Sequence, residues 1–222
     1  MYILNISATL VGEHVFSPQK WGLRISMTNP NIIILIDGGF LRVQAKKAKK
    51  TYDPDFIEKF AQNCKSANEE IFRVLYYDCA PYTGTVKLPV SGQQFQHQGS
   101  DQWLHELSHK DLFAVRRGVL KFRGFKPKKT PVAPQGQLTD ADFTPDFEQK
   151  GVDMRIGLDI AAYAANRSVN RIVLVSNDTD CVPALKYGRK AGLQTVLVQP
   201  AGVRLAPELL AHSDFKRKVP WP

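Results

Sequence analysis

Apolar, strand-sized runs that alternate with helix-patterned segments predict an α/β fold. The expected form is a doubly wound, mainly parallel sheet flanked by helices, with a basic insertion in its middle. Three observations carry this. Residues 31–36 read NIIILI, and residues 71–77 (IFRVLYY) and 172–176 (IVLVS) repeat the strand-sized pattern, with a last strand at 195–198 after Gly192. Residues 56–67, 152–165 and 182–191 carry helical spacing between these runs. A length of 222 residues with 43% hydrophobic side chains suffices for one good core, so one decorated domain is expected rather than two.

Taken in order, residues 1–30 are weakly patterned and read as an N-terminal extension, with the compact domain over 31–216 and a short tail at 217–222. DGG breaks the first strand, and the basic stretch 42–50 leads to the first helix at 56–67. Pro81 and Gly84 open a long polar insertion running from about 82 to 150. Within it Trp103, Leu104, Leu107 and Leu112 suggest a short helix, residues 113–125 a basic hairpin or strand pair, and residues 127–145 a loop.

Thirty Lys plus Arg against twenty-one Asp plus Glu give a net charge of +9, which favours polyanionic partners. Charge alone is a weak pointer, but its segregation into residues 42–50 and 116–129 is informative. No run approaches the roughly 18 apolar residues of a membrane span, and no secretory signal is recognisable, so a cytoplasmic protein without membrane contact is expected. Cys64, Cys79 and Cys181 are odd in number and form no CxxC pair, which argues for free thiols over a disulfide framework or a zinc ribbon.

The candidate chemistry lies where the strands end, because ligands of doubly wound sheets bind at the carboxyl ends of the strands. Asp37 follows the first strand directly and precedes Gly38 and Gly39. An isolated Asp-Gly pair more often marks a turn. Ser176, Asn177, Asp178, Thr179 and Asp180 follow a second strand in the same way; a helix cap accounts for one of those carboxylates but not both. If the two strand ends are neighbours, three carboxylates converge as oxygen ligands for a hard divalent cation. Asp153 and Asp159 begin a helix and lie about 240° apart around it, so they cannot share one site. An i,i+4 ion pair with Arg155 accounts for Asp159, which leaves Asp153 as the candidate.

The segments IDGGF (36–40), YYDCAPY (76–82), QKGVDMRIGLDIA (149–161) and VLVSNDTDCVPALKYGRKAG (173–192) resemble, in this order, the NYN domains of the LabA-like group. The resemblance implies a PIN-like fold and a Mg²⁺- or Mn²⁺-dependent ribonuclease. Asp37, Asp153, Asp178 and Asp180 fall on the family's acidic positions, Asp159 on a second helix aspartate, and Ser176 and Asn177 beside the acidic pair. Asn177 stands where that family usually has glycine, and Cys181 where it usually has an aromatic residue.

On this reading the four aspartates would hold one or two Mg²⁺ or Mn²⁺ ions for hydrolysis of a phosphodiester. Arg116, Arg117, Lys121 and Arg123 would hold the backbone of a nucleic acid, expected to be single-stranded RNA. Phe113, Phe122 and Phe125 would either stack on bases or form the small core of a hairpin, the second being commoner. A homodimer is compatible with this reading. The rival from another class is a non-catalytic RNA-binding module on the same fold. A dehalogenase-type phosphohydrolase lacks its second carboxylate, since DGG stands where DxD is needed. No GxGxxG supports a dinucleotide site, no His partners a Cys or Ser nucleophile, and His105 with His109 lack an HExxH context for zinc.

Overall fold

The computed structural model describes residues 29–131 and 138–222; the extension expected over residues 1–30 therefore lies almost wholly outside the described residues. Along the chain come β1 (Asn31–Asp37), α1 (Gly38–Lys47), α2 (Pro54–Asn63), β2 (Glu70–Cys79), β3 (Gly84–Lys87), β4 (Gln94–His97), α3 (Gln102–Ser108), β5 (Phe113–Pro127), β6 (Phe143–Lys150), α4 (Val152–Asn166), β7 (Arg171–Val175), α5 (Val182–Lys190), β8 (Gln194–Pro200), α6 (Pro207–Ala211) and β9 (Phe215–Val219). Seven strands form one sheet in the order β6-β5-β2-β1-β7-β8-β9, parallel except where β6 joins β5. The fold is thus the mostly parallel α/β sheet flanked by helices that the strand and helix pattern predicts.

Strand β1 is apolar on every residue from Ile32 to Ile36 because it is covered on both faces. Ile32, Ile34 and Ile36 join the core beneath α1 and α2, while Ile33 and Leu35 join the core beneath α4 and α5. Its register with β7, Ile36 opposite Val175, brings the ends of the two strands side by side.

Four local expectations need correction. The DGG segment opens helix α1 rather than a loop: the Asp37 side chain accepts from the Phe40 N–H at 3.0 Å and Lys46 and Lys47 close the last turn, so both ends of the dipole are matched. Residues 113–125 form one long strand instead of a hairpin. Up to Gly118, β5 pairs in parallel with β2, and from Val119 onward it pairs with β6. Part of the supposed insertion is therefore integral to the sheet. The arm that does stand apart consists of the far halves of β5 and β6 and the β3–β4 hairpin, and β6 includes residues 143–145 of the expected loop.

The last correction is at the C-terminus. Residues 217–222 are not a tail, because β9 adds to β8, Val219 is buried, and the Trp221 ring lies 5.5 Å from that of Phe60. Asp214 fixes this edge by accepting from the Thr195 N–H at 2.8 Å, the Thr195 hydroxyl at 2.9 Å and Arg189 at 2.8 Å.

The amino ends of the strands are tied by Glu69, which is fully buried. Its carboxylate accepts two 2.8 Å bonds from the Arg217 guanidinium, one of 2.8 Å from the Ser66 N–H, and a further bond from Arg171. Burial alone would raise its pKa, but Arg217, the Ser66 N–H and Arg171 together hold it below the usual range. A depressed folded pKa means that the stabilisation is present at neutral pH and lost as pH falls through that value. Glu69→Gln is therefore expected to lower the Tm by several degrees at pH 7, with the gap closing in acid below about pH 4; thermal melts across pH check this, and a gap that persists unchanged at low pH would refute the ionic account.

Candidate active site

The strand ends β1 and β7 supply a chain of hydrogen bonds. The Ser176 hydroxyl, fully buried, donates to Asp37 Oδ2 at 3.2 Å and accepts from the Asp178 N–H at 3.2 Å. Asp178 Oδ1 in turn accepts from the Asp180 N–H at 2.9 Å. Each bond fixes the next turn of backbone, so the SNDTD segment is held in a tight loop that leads into α5. Asn177 reaches to the loop after β8: its Oδ1 accepts from the Ala206 N–H at 2.7 Å and its amide donates to the Arg204 carbonyl at 3.4 Å, clamping that loop against the site.

Asp153 enters from the first turn of α4, where Gly151, in the left-handed region at φ +76°, ends β6 and turns the chain into the helix. One carboxylate oxygen from each of Asp153, Asp178 and Asp180 lies within 4.8 Å of the others. Asp178 and Asp180 are exposed and Asp153 is half-buried. Asp37 stands beside this trio, not within it. It is half-buried and lines, with Asp178, Arg42 and Gln149, an open cleft of about 890 Å³.

The charges of this site oppose one another. Burial pushes the Asp37 carboxyl above its usual range against the bonds from Phe40 and Ser176, and the charges on Asp153 and Asp78 push it further. Asp153 is likewise raised, first by burial and then by Asp178 and Asp180. Behind the acidic pair the Cys181 thiol is pushed up to about 12 by burial and by the charges on Asp153, Asp178 and Asp37, so it stays protonated. The donor set is carboxylate oxygen alone and open to water on one side, which fits a hard divalent cation and not a soft one.

Two residues that line this cleft, Arg42 and Gln149, and the buried Asp78 behind them were not legible as site residues. Asp78 ends β2 as Asp37 ends β1, but it is fully buried and satisfied: it accepts from Arg42 at 2.5 and 3.2 Å, the Tyr76 hydroxyl at 3.0 Å, the Cys79 N–H at 2.8 Å and Gln149 at 3.2 Å. It thereby fixes Arg42 and Gln149 at the cleft. The YYD sequence after an apolar run was the available signal. Gly38 is required by the same network, since a Cβ there would meet the Tyr76 hydroxyl at 2.3 Å.

The remaining candidates are placed elsewhere. Asp159 accepts from the Tyr77 hydroxyl at 2.8 Å and pairs with Arg116 at 3.1 Å, while Arg155 caps the Gly151 carbonyl; the expected Arg155–Asp159 pair does not form because β5 offers a closer partner. Arg116 and Arg117 are successive strand residues and face opposite sides of the sheet, where Arg117 pairs with Asp101 at 2.6 Å. Arg123 pairs with Glu148 at 2.6 Å on the arm, and Lys121 is exposed there. These four cations therefore do not form one surface. Phe113 is a core residue.

The parallel sheet thus gathers Asp37, Asp178 and Asp180 at or just beyond the carboxyl ends of β1 and β7, beside a solvent-open cleft that Asp37 and Asp178 line. The chain belongs to the NYN domain family, which matches residues 31–214 and is a family of PIN-like nucleases. Among solved structures the chain is similar to a crystal structure described as a protein of unknown function from Vibrio parahaemolyticus RIMD 2210633, at 16% identity over 86% of this chain and 93% of the other, with a TM-score of 0.50. That likeness concerns the fold alone. A search of curated proteins finds no match. Among the described residues no helix is long and apolar enough to cross a membrane.

The raised pKa of Asp153 carries a stability consequence with a definite sign. A carboxyl whose folded pKa lies above its unfolded value favours the fold below that range and weakens it as pH rises through the folded pKa. Without divalent cations, Asp153→Asn is expected to raise the Tm at pH 7 by about 2 °C and to leave it unchanged near pH 3. Calorimetry in EDTA at both pH values measures this; a lower Tm at pH 7 would show that Asp153 is a structural carboxylate and not part of a repelling cluster.

Proposed function

We propose that the chain is a divalent-metal-dependent ribonuclease of the LabA-like type, hydrolysing phosphodiester bonds in single-stranded RNA. The observation that carries this is the convergence of Asp153, Asp178 and Asp180, with one oxygen of each within 4.8 Å, from two separate elements. The charges on Asp178 and Asp180 help raise the Asp153 carboxyl above its usual range, a repulsion that a bound cation would relieve. The motifs QKGVDMRIGLDIA and VLVSNDTDCVPALKYGRKAG support the subgroup. Three buried free thiols suit a reducing cytoplasm.

Asp153, Asp178 and Asp180 would hold Mg²⁺ or Mn²⁺, which when bound supplies a Lewis acid for the phosphoryl oxygens and lowers the pKa of water. The residues around it divide the rest. Asp37 faces the cleft with its carboxyl held above the usual range, and acts as the general base that takes a proton from the attacking water. Ser176 holds Asp37 Oδ2 in position for this. Arg42, locked by both oxygens of Asp78, presents a fixed positive charge to the phosphate next to the one attacked. Gln149 orients the same edge of the cleft through Asp78.

The test is cleavage of an end-labelled single-stranded RNA with Mn²⁺, Mg²⁺ or EDTA, comparing wild type with Asp178→Asn, Asp180→Asn. Cleavage is expected only with the metals and is expected to fall at least about 100-fold in the double variant. Mn²⁺ is also expected to raise the Tm of the wild type and not of the variant. Binding of RNA without cleavage, equal in both proteins, would replace this function with that of an RNA-binding module.

A further inference from the structure

The arm built by β3–β4 and the far halves of β5 and β6 carries an aromatic cluster. Phe147 on β6 lies 5.5 Å from Tyr82, 5.7 Å from Phe122 and 5.6 Å from His97 between ring centres. Phe122 extends the cluster to Phe125 at 5.3 Å, and His97 extends it to Phe95 at 4.9 Å. If these rings were only the arm's core they would be buried, as Val86 is. Instead Tyr82, Phe122, Phe125 and Phe147 all stay partly exposed and Phe95 is 48% exposed. Large apolar groups left at a surface mark an interaction face.

Two features say what covers that face. The arm's strands, with β5 taken from Val119 onward, carry Lys87, Lys121, Arg123, Lys126 and Lys150 against Asp146 and Glu148, so the arm is cationic, while Asp37 and Asp178 make the cleft acidic. Lys87 and Lys121 are exposed on it without an ion-pair partner among the described residues. Aromatic rings interleaved with cations are the surface that unpaired bases and their phosphates require. The second feature is continuity. Phe147 belongs to the aromatic cluster and also lines the cleft that holds Asp37, Asp178 and Arg42, with Phe40 and Val43 of α1 as further apolar lining.

We infer that the arm is a stacking platform for single-stranded nucleic acid and that Phe147 is the base-binding residue at its inner end, holding the nucleotide next to the scissile phosphate. The occupant is a strand with unpaired bases; a duplex has its base faces covered and cannot use the platform. Phe147 is a binding residue and takes no part in proton transfer. Tyr82 and Phe122 hold its ring upright by tilted contacts. The inference rests on the nuclease reading only for the direction in which the strand runs, toward the acidic trio.

The experiment is fluorescence anisotropy of labelled oligo-U and oligo-dT of about ten nucleotides, an abasic strand of equal charge, and a duplex, all in EDTA with the full-length protein. Phe147→Leu keeps the apolar volume but removes the π face; Phe147→Tyr keeps both. Phe147→Leu is expected to weaken oligo-U and oligo-dT about tenfold and the abasic strand not at all, while Phe147→Tyr stays near wild type. The duplex is expected to bind no better than the abasic strand. An equal loss on the abasic strand, no loss on either, or a duplex as tight as oligo-U would overturn the platform. Melting curves of each variant separate folding from binding. RNA cleavage assays distinguish the two readings: binding that depends on Phe147 without cleavage sinks the nuclease and leaves the platform, and cleavage without that dependence does the reverse.

Discussion

The parallel pairing of β1 with β7 is the constraint from which the site follows. With Ile36 opposite Val175, the next residues, Asp37 and Ser176, leave the sheet together, and the Ser176 hydroxyl joins the Asp37 carboxylate to the Asp178 backbone. A register slip of one residue would turn every side chain of β1 to the other face. It would move Asp37 away from Ser176 and upset the alternation of Ile32 to Ile36 between the two cores. The register that builds the core therefore also builds the acidic centre. Glu69 holds the opposite end by linking Arg171 of β7 to Arg217 of β9.

The carboxylates at this end of the sheet are treated in opposite ways. Asp78 receives hydrogen bonds from two side chains of charge or amide type, a tyrosine and a backbone N–H, and its charge is matched by Arg42. It is a fixed part of the wall. Asp153, Asp178 and Asp180 have no cationic partner among the described residues and sit close enough to repel. On the proposed nuclease reading that contrast separates structural from functional charge: Asp78 is satisfied within the protein, and the carboxylates left in mutual conflict are the ones proposed to take a cation.

How much of this was legible depended on the range of the interaction. Strands β1, β7 and β8 and helices α4 and α5 were readable because burial on both faces, or on one stripe of a helix, imposes a local pattern. The placement of Asp37 at the end of β1, and of Asp178 and Asp180 a few residues beyond β7, at the carboxyl edge of the sheet was readable because both segments follow an apolar run. Helix α1 was missed because its start looks like a turn: Gly38 and Gly39 are there for close approach to Tyr76 and Gln149, a contact across the sheet. Strand β9 was missed because FKRKV has no apolar run; it is an edge strand whose Arg217 serves the Glu69 cluster. The partner choice of Asp159 and Arg116 depends on β5 passing under α4, which no local window contains.

Asn177 and Cys181, the two residues beside the acidic pair that depart from the pattern of the LabA-like resemblance, have physical roles in this fold. A glycine at position 177 would give the loop freedom but no side chain; Asn177 instead bonds Ala206 and Arg204, tying the segment between β8 and α6 to the end of β7. The loop's shape is kept by Ser176 and Asp178, so the glycine's conformational freedom is not needed, and none of residues 176 to 180 has a positive φ. Cys181 is buried in the core shared by α4 and α5, with Leu185 and Ile156 in the same cluster. A small, apolar, protonated thiol adds no charge behind three carboxylates. Asn177 thus supports the loop by side-chain bonds and Cys181 by apolar packing beneath it. Support of that kind holds the oxygens in place before any ligand arrives, which is the condition for a centre that works by electrostatics.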